Sequence, residues 1–258
     1  MLIKKPKCVS LFTGGGGLDL GFERAGFEIV VCNDILRASK ETHERMRPER
    51  PFILEDLCKV SSGDLLSATN LSREDIDIVI GGSPCQSFSI LGRRKSIAEE
   101  NGLLLFEFLR VIKDIRPRMF LLENVPGLLS AKGPAPYLNC PECNMFTEFD
   151  WFGIEPELRK GECVVATCPR CRKRIYNGIH ETNGGVLKIL EKEFHKLGYA
   201  TNIKLLNSVN YGVPQIRKRV LMLGSRGALK LDFPPKTHRS TVLRTDAFND
   251  ERHLLPPI

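Results

Sequence analysis

Three groups of residues have the types and spacing to do chemistry. The first is Gly81-Gly82-Ser83-Pro84-Cys85-Gln86-Ser87-Phe88-Ser89, a turn that follows the apolar run 77–80. A cysteine where a strand gives way to a loop can be activated by local dipoles or neighbours and attack as a thiolate. Taken alone, a free cysteine is more often a small buried apolar residue. The second group changes that weighting. Leu121-Leu122-Glu123-Asn124-Val125-Pro126-Gly127 ends another apolar run and puts a carboxyl at a second strand end. A thiol and a carboxyl on neighbouring strand ends form an addition-and-protonation pair. The third group is Cys140-Pro141-Glu142-Cys143 and Cys168-Pro169-Arg170-Cys171, two CxxC pairs separated by 24 residues. Thiolates at that spacing occupy two corners of a tetrahedron from one turn, so two pairs predict a structural zinc site. A cluster of free or redox-active cysteines, or an iron-sulfur cluster, is the weaker reading, and Cys163 is a spare.

A glycine-rich turn, Leu11-Phe12-Thr13-Gly14-Gly15-Gly16-Gly17-Leu18, joins the first apolar run to a helical one. Glycines there let backbone approach a ligand, and the helix start adds partial positive charge. Asn33-Asp34 follows about 20 residues later, where an acid grips ribose hydroxyls in nucleotide-binding α/β folds. No Gly-Lys-Ser/Thr follows the glycines, which excludes a phosphate-gripping P-loop and favours a nucleoside ligand. A tight turn without a ligand is the alternative.

The elements that must position these groups alternate. Apolar runs at 8–12, 27–31, 77–80 and 119–122 are short and continuous, as parallel strands buried on both faces require. Residues 102–115 have helical spacing through Leu105, Phe108, Leu109, Ile112 and Ile115, and Arg116-Pro117 stops them. Val186, Leu190, Phe194 and Leu197 mark a later helix, and residues 203–206 and 220–223 are the closing strands. The expected fold is α/β, a doubly wound, mostly parallel sheet with a zinc-binding cysteine insertion. Residues 1–129 and 181–238 would form the catalytic domain, 130–180 the insertion, and 239–258 a linker.

Composition fits a soluble globular protein: 42% hydrophobic and 27% charged, with no apolar run near the ~20 residues a bilayer requires. The N-terminus, with its early lysines, does not resemble a secretory signal, and nine cysteines is an odd number. Both place the chain in the cytosol, with reduced thiols. Net charge is +7, and residues 202–258 hold ten Lys/Arg against four Asp/Glu, an asymmetry suited to a polyanion.

In order, Phe12-Thr13-Gly14-Gly15-Gly16-Gly17, Asn33-Asp34, Asp56-Leu57, Gly82-Ser83-Pro84-Cys85-Gln86-Ser87-Phe88-Ser89, Glu123-Asn124-Val125 and Gln215-Ile216-Arg217-Lys218-Arg219 resemble the motifs of the C5-cytosine DNA methyltransferases. The resemblance runs from about Lys7 to His238 apart from the insertion, and Asn210-Tyr211-Gly212-Val213-Pro214 leads into the last motif. It implies methyl transfer from S-adenosylmethionine to C5 of a cytosine flipped out of double-stranded DNA. Cys85 would add to C6. Glu123, protonated or sharing a proton, would hydrogen-bond N3 and the exocyclic amine. Arg219 would contact the flipped base, with Arg217 supporting the site or the phosphates, and Asn124 would brace the loop that carries Cys85. Phe12, Gly14, Gly16, Asp34, Asp56, Leu57 and Pro84 would hold the cofactor, with Asp34 on the ribose and Asp56 on the adenine amine. Residues 87–100, with Gly92-Arg93-Arg94-Lys95, would close over the DNA. A tRNA cytosine methyltransferase and a non-catalytic regulatory subunit are the rival readings.

The family usually places an acid just before the Leu-Phe of its glycine motif, where this chain has Ser10; little effect is expected. The match ends near Phe233-Pro234-Pro235-Lys236-Thr237-His238, ahead of the family's target-recognition domain and last cofactor motif. The chain is then either a fragment or truncated product or one subunit of a split enzyme; the split enzyme is favoured, with a second polypeptide supplying both as the expected partner and the complex on the nucleoid when bound to DNA. Arg170, Arg172, Lys173 and Arg174 make one cysteine knuckle basic, suited either to phosphates or to a solvated surface.

Overall fold

In the computed structural model, residues 4–84, 100–131, 133–134, 137–139, 142–143, 146–148, 164–168, 170–177, 181–227 and 231–239 are described below. Seven strands form one sheet: β1 (Lys7–Leu11), β2 (Glu28–Asp34), β3 (Phe52–Leu54), β4 (Ile78–Gly81), β5 (Met119–Asn124), β12 (Tyr199–Asn207) and β13 (Lys218–Arg226). Between β5 and β12 come the short strands β6 (Gly133–Pro134), β7 (Tyr137–Asn139), β8 (Phe146–Glu148), β9 (Val164–Thr167), β10 (Arg174–Asn177) and β11 (Glu181–Thr182). The sheet order is β12-β13-β5-β4-β1-β2-β3. Strands β1 to β5 pair with one another in parallel, and β13 runs antiparallel to both β5 and β12. The winding reverses between β1 and β4, which opens a crevice at their C-terminal ends.

Helices α1 (Gly17–Arg24), α2 (Arg37–Met46), α3 (Ser62–Ser67), α4 (Glu100–Ile115) and α5 (Gly185–Lys196) flank the sheet. The central strands β1, β4 and β5 are largely apolar because both faces are covered. Val9, Leu11, Val79, Phe120 and Leu122 pack on one face with α4 and α5, while Cys8, Ile78, Ile80 and Leu121 pack on the other with Phe22 and Phe27. Helix α4 buries Leu105, Phe108, Leu109, Ile112 and Ile115 as its spacing predicts. It ends at Arg116, whose φ of 57° breaks the helical path ahead of Pro117.

An aromatic group locks β5 to α5 and β12. Phe120 stacks on Phe194 with centroids 4.1 Å apart and meets Tyr199 edge-on at 5.3 Å. The Tyr199 hydroxyl donates to the Pro117 carbonyl at 2.6 Å, and burial pushes its pKa up to about 12. Gly224 of β13 leaves room for this group, since a Cβ there would lie 2.0 Å from Phe120 Cε1.

The cysteine-rich stretch leaves the sheet after β5 and returns at α5. Its two ends meet where β6 pairs antiparallel with β11, and β7–β8 and β9–β10 form hairpins within it. No helix among the described residues is long and apolar enough to cross a membrane.

Candidate active site

The C-terminal ends of the parallel strands share one rim, and the sequence places polar groups there. β1 runs into Phe12, β2 ends at Asp34, β4 leads to Gly82-Ser83-Pro84, and β5 ends at Glu123-Asn124. β13 is antiparallel to β5, so its N-terminal end, with Lys218 and Arg219, reaches the same rim. Glu123 lies opposite Leu221; Arg219 is two residues from Leu221 and therefore on the same face as Glu123.

There the two side chains meet. Arg219 Nε donates to Glu123 Oε1 at 2.8 Å, with both side chains about one-quarter exposed. Arg219 Nη1 also donates to the Lys218 carbonyl at 2.8 Å. On its other side the Glu123 carboxylate abuts the β4 turn: a Cβ on Gly82 would lie 3.0 Å from Glu123 Oε2. Asn124, buried, donates from Nδ2 to the Ser83 hydroxyl at 3.1 Å and accepts at Oδ1 from the Val125 amide at 2.9 Å. Carboxylate, guanidinium and brace thus converge on the backbone just ahead of Cys85. Cys85 itself lies outside the described residues, as does the stretch 87–99. Pro84, the last described residue before them, is exposed. Arg217 is exposed, and its amide donates to Asn207 Oδ1 at 3.1 Å.

The glycine turn forms the second wall. Phe12, Gly14 and Gly16 all adopt positive φ, at 52°, 54° and 77°. Asp34, 8% exposed, ties this turn down: its Oδ2 accepts the Gly14 amide and its Oδ1 the Leu36 amide, each at 2.8 Å. Each oxygen keeps a second lone pair for a ligand hydroxyl. Asp56 caps a short 3-10 turn by accepting the Cys58 amide at 2.9 Å. Leu57 differs from its expected place in the cofactor crevice. Its side chain is 2% exposed in the core, which leaves only its backbone for a ligand. Beside Asp34, Ile35 and Leu36 are 62% and 59% exposed, an apolar ledge that the sequence reading passed over.

Three of the four expected metal ligands come together. The Sγ atoms of Cys143, Cys168 and Cys171 lie within 4.8 Å of one another, with Cys143 and Cys168 3.5 Å apart. Cys140, like Cys163, lies outside the described residues. The Cys171 amide points at Cys168 Sγ from 3.5 Å, and this and other donors hold the Cys168 thiol down at about 6. The turn is closed by Cys168 N–H to Lys173 O and Arg172 N–H to Cys168 O, both 2.9 Å, with Arg172 at φ 64°.

Beneath the glycine turn, side chains with no expected role form a buried network around Asp19, which accepts from Ser10 Oγ at 2.5 Å and from Thr13 Oγ1 at 2.6 Å. Nothing local marked Asp19, which reads as one polar residue of an amphipathic helix.

Comparison with known proteins agrees with this geometry. Residues 6–177 and 175–251 match the family model described as C-5 cytosine-specific DNA methylase. The Type II methyltransferase M.AquIA of Picosynechococcus sp. is 32% identical over 232 residues, 90% of this chain and 77% of that protein. The Type II methyltransferase M.FnuDI of Fusobacterium nucleatum is 34% identical over 231 residues, 88% of this chain and 50% of its own length. Apart from M.AquIA, the chain spans about half the length of the curated relatives it matches. Among solved structures, the Dnmt2 methyltransferase of S. pombe aligns over 88% of this chain and 52% of its own, with a TM-score of 0.54 and 15% identity. The methyltransferase EhMeth of Entamoeba histolytica aligns over 93% of this chain and 58% of its own, with a TM-score of 0.55 and 15% identity. Likeness at that identity speaks for the fold. On the family model and the curated relatives, the chain belongs to the C-5 cytosine-specific DNA methylase family.

Proposed function

We propose that this chain carries the catalytic machinery that methylates C5 of a flipped-out cytosine in double-stranded DNA. The observation that carries the reading is the Glu123 carboxylate, held by Arg219 and pressed against Gly82 three residues before Cys85. Cytosine C5 is a poor nucleophile. Addition of the Cys85 thiolate to C6 makes C5 enamine-like, and negative charge moves toward N3 as it forms. Glu123, carrying a proton in the complex, donates it to N3 and accepts from the exocyclic amine, so the charge that develops at N3 is neutralised, with Arg219 orienting Glu123 and meeting the base edge. Arg217, exposed beside them, supports the site or a flanking phosphate. Loss of the C5 proton and expulsion of the Cys85 sulfur then restore the aromatic ring.

The residues at the crevice suit S-adenosylmethionine, which supplies an electrophilic methyl group when bound. Phe12, Gly14 and Gly16 bring backbone close to it, Asp34 offers ribose hydroxyls its remaining lone pairs, and Asp56 and Pro84 flank the nucleoside. Ile35 and Leu36 give the adenine an apolar ledge. Three converging thiols, with backbone N–H donors that favour the thiolate, suit zinc held by Cys143, Cys168 and Cys171 together with Cys140. The ion would stiffen the insertion rather than take part in methyl transfer.

The relatives matched over half their length carry more chain than these residues cover. On this reading that portion reads the DNA sequence, and a second polypeptide is one carrier of it. The cytoplasm, on the nucleoid, is the location the activity implies.

The test is tritiated methyl transfer to duplex DNA and to tRNA, with a partner polypeptide supplied if one co-purifies, followed by the Cys85→Ser variant. Transfer to DNA that vanishes in Cys85→Ser is the expected result. Transfer to tRNA alone would move the substrate class, and full activity in Cys85→Ser would end the nucleophile assignment.

A further inference from the structure

The network below the glycine turn is unusual in what it buries. Asp19 is 1% exposed in the first turn of α1. Its carboxylate takes hydrogen bonds from Ser10 of β1 and Thr13 of the turn, and Cys32 of β2 points its Sγ at Oδ2 from 3.4 Å. Burial and the Asp19 charge push the Cys32 thiol pKa up, so it stays a donor. His43 of α2, 5% exposed, completes the group, with Nε2 3.7 Å from Asp19 Oδ2 and 3.4 Å from Thr13 Oγ1. Five buried side chains from two strands, two helices and the turn thus meet in one place. Burying a carboxylate is costly unless its hydrogen bonds are made, and an apolar residue would fill the same space without that cost.

What the network touches suggests its use. Thr13, gripped by Asp19, stands between Phe12 and Gly14, both in the left-handed region. His43 fills the space under Gly16, where a Cβ would meet Nε2 at 3.0 Å. The turn is therefore held from below at two points, and from the side by Asp34 at Gly14. A non-glycine residue at positive φ, such as Phe12, is strained and persists only where its surroundings impose it. Position 10 supplies the second line of argument. Ser10 of β1 brings no charge of its own, and the Asp19 carboxylate lies directly on its hydroxyl. The negative charge absent from the strand is delivered to the same place from the helix.

We propose that Asp19, assisted by His43, is a positioning residue for the methyl-donor site: it fixes the glycine turn in its cofactor-binding shape by delivering a carboxylate from α1 to the Ser10 and Thr13 hydroxyls. The proposal rests on the methyltransferase reading above. The experiment compares wild type, Asp19→Asn, Ser10→Asp, and the exchanged pair Ser10→Asp with Asp19→Ser. For each, S-adenosylmethionine affinity is measured by calorimetry on the full chain, KM and kcat in the methyl-transfer assay, and Tm by melting. Asp19→Asn is expected to raise Kd and KM for the donor at least tenfold and to change kcat less than threefold. Ser10→Asp alone sets two carboxylates side by side and is expected to be worse in affinity and in Tm. The exchanged pair is expected to return KM to within about threefold of wild type. An unchanged KM in Asp19→Asn overturns the proposal. So does an exchanged pair that recovers Tm without recovering KM, which is what a purely structural role would give. Should Asp19→Asn fail to fold, the exchanged pair decides by the same KM criterion. A wild-type chain that binds no donor even with the co-purifying partner polypeptide supplied would end the functional reading and this proposal with it, a result distinct from binding that ignores Asp19.

Discussion

Gly82 offers a clean separation of catalytic geometry from stability. A Cβ added there would lie 3.0 Å from Glu123 Oε2 and 3.9 Å from Glu123 Cβ and Cδ. A comfortable carbon–oxygen contact is about 3.4 Å, so the carboxylate must retreat by roughly 0.4 Å. Arg219 Nε, 2.8 Å away, holds that carboxylate on its other side. A 1 Å misplacement at a reacting centre costs on the order of 100-fold, so a shift of this size should lower kcat about five- to tenfold. Stability should move the other way. Gly82 is not among the residues with positive φ, and replacing such a glycine by alanine restricts the unfolded chain, a gain of about 0.4–1 kcal/mol. Gly82→Ala should therefore melt at or slightly above the wild-type temperature while methylating duplex DNA several-fold more slowly. Gly224→Ala is the control, because its Cβ would sit 2.0 Å from Phe120 Cε1 in the packed aromatic group. Overpacking there should cost about 1–3 kcal/mol and lower Tm clearly. Wild-type kcat in Gly82→Ala would show that the Glu123 carboxylate is not poised at the reacting base. A Tm loss matching that of Gly224→Ala would show that the β4 turn is packing rather than site.

Two further outcomes follow from the charges. Glu23 accepts hydrogen bonds from Arg47, at 2.7 and 3.1 Å, and from Arg50; the Arg47 contact is foremost in lowering its pKa. A carboxyl whose folded pKa is depressed adds stability above its unfolded value of about 4.3 and loses it as pH falls through the folded value. Allowing for solvent screening, Glu23→Gln should cost about 1 kcal/mol at pH 7, a Tm drop of about 2–4 °C, and the gap should start to shrink below about pH 4.3 and vanish once the pH has passed below the folded value; a gap unchanged through that fall refutes the ion-pair account. Elemental analysis should find close to one zinc per chain, and Cys171→Ser should release it and expose the insertion to protease while the sheet keeps its circular dichroism; protein purified without chelator and free of zinc would remove the metal from the reading.

What the sequence disclosed and what it hid divide along a physical line. The buried strands were legible because covering a sheet on both faces demands continuous apolar runs, and 119–122 became β5 with two residues to spare. β3 was not, since Phe52–Leu54 is three residues long and only half covered, too short for a period to register. Motif spacing placed Glu123 and Asn124 at the strand end where they meet Gly82 and Ser83, because both end a parallel strand. Arg219 is different: 96 positions away in sequence, it reaches Glu123 only because β13 runs antiparallel to β5, and strand direction is not written in any local pattern.

The Asp19 network was hidden for a deeper reason. On a helical wheel Asp19 is one more polar residue of α1, and the sequence reading treated Ser10 as a harmless departure. Each judgement was reasonable by itself, because hydrophobic periodicity assigns polar residues to solvent unless a partner is known. The partner here lies nine residues upstream, on a strand of the opposite character, and the two meet only when the glycine turn has folded. On the proposal above, the serine on the strand and the carboxylate on the helix work as one unit. Neither position can then be judged alone. A serine before Leu-Phe is tolerable where an acid stands in the first turn of the following helix, and restoring the acid at position 10 without removing Asp19 should do harm rather than good.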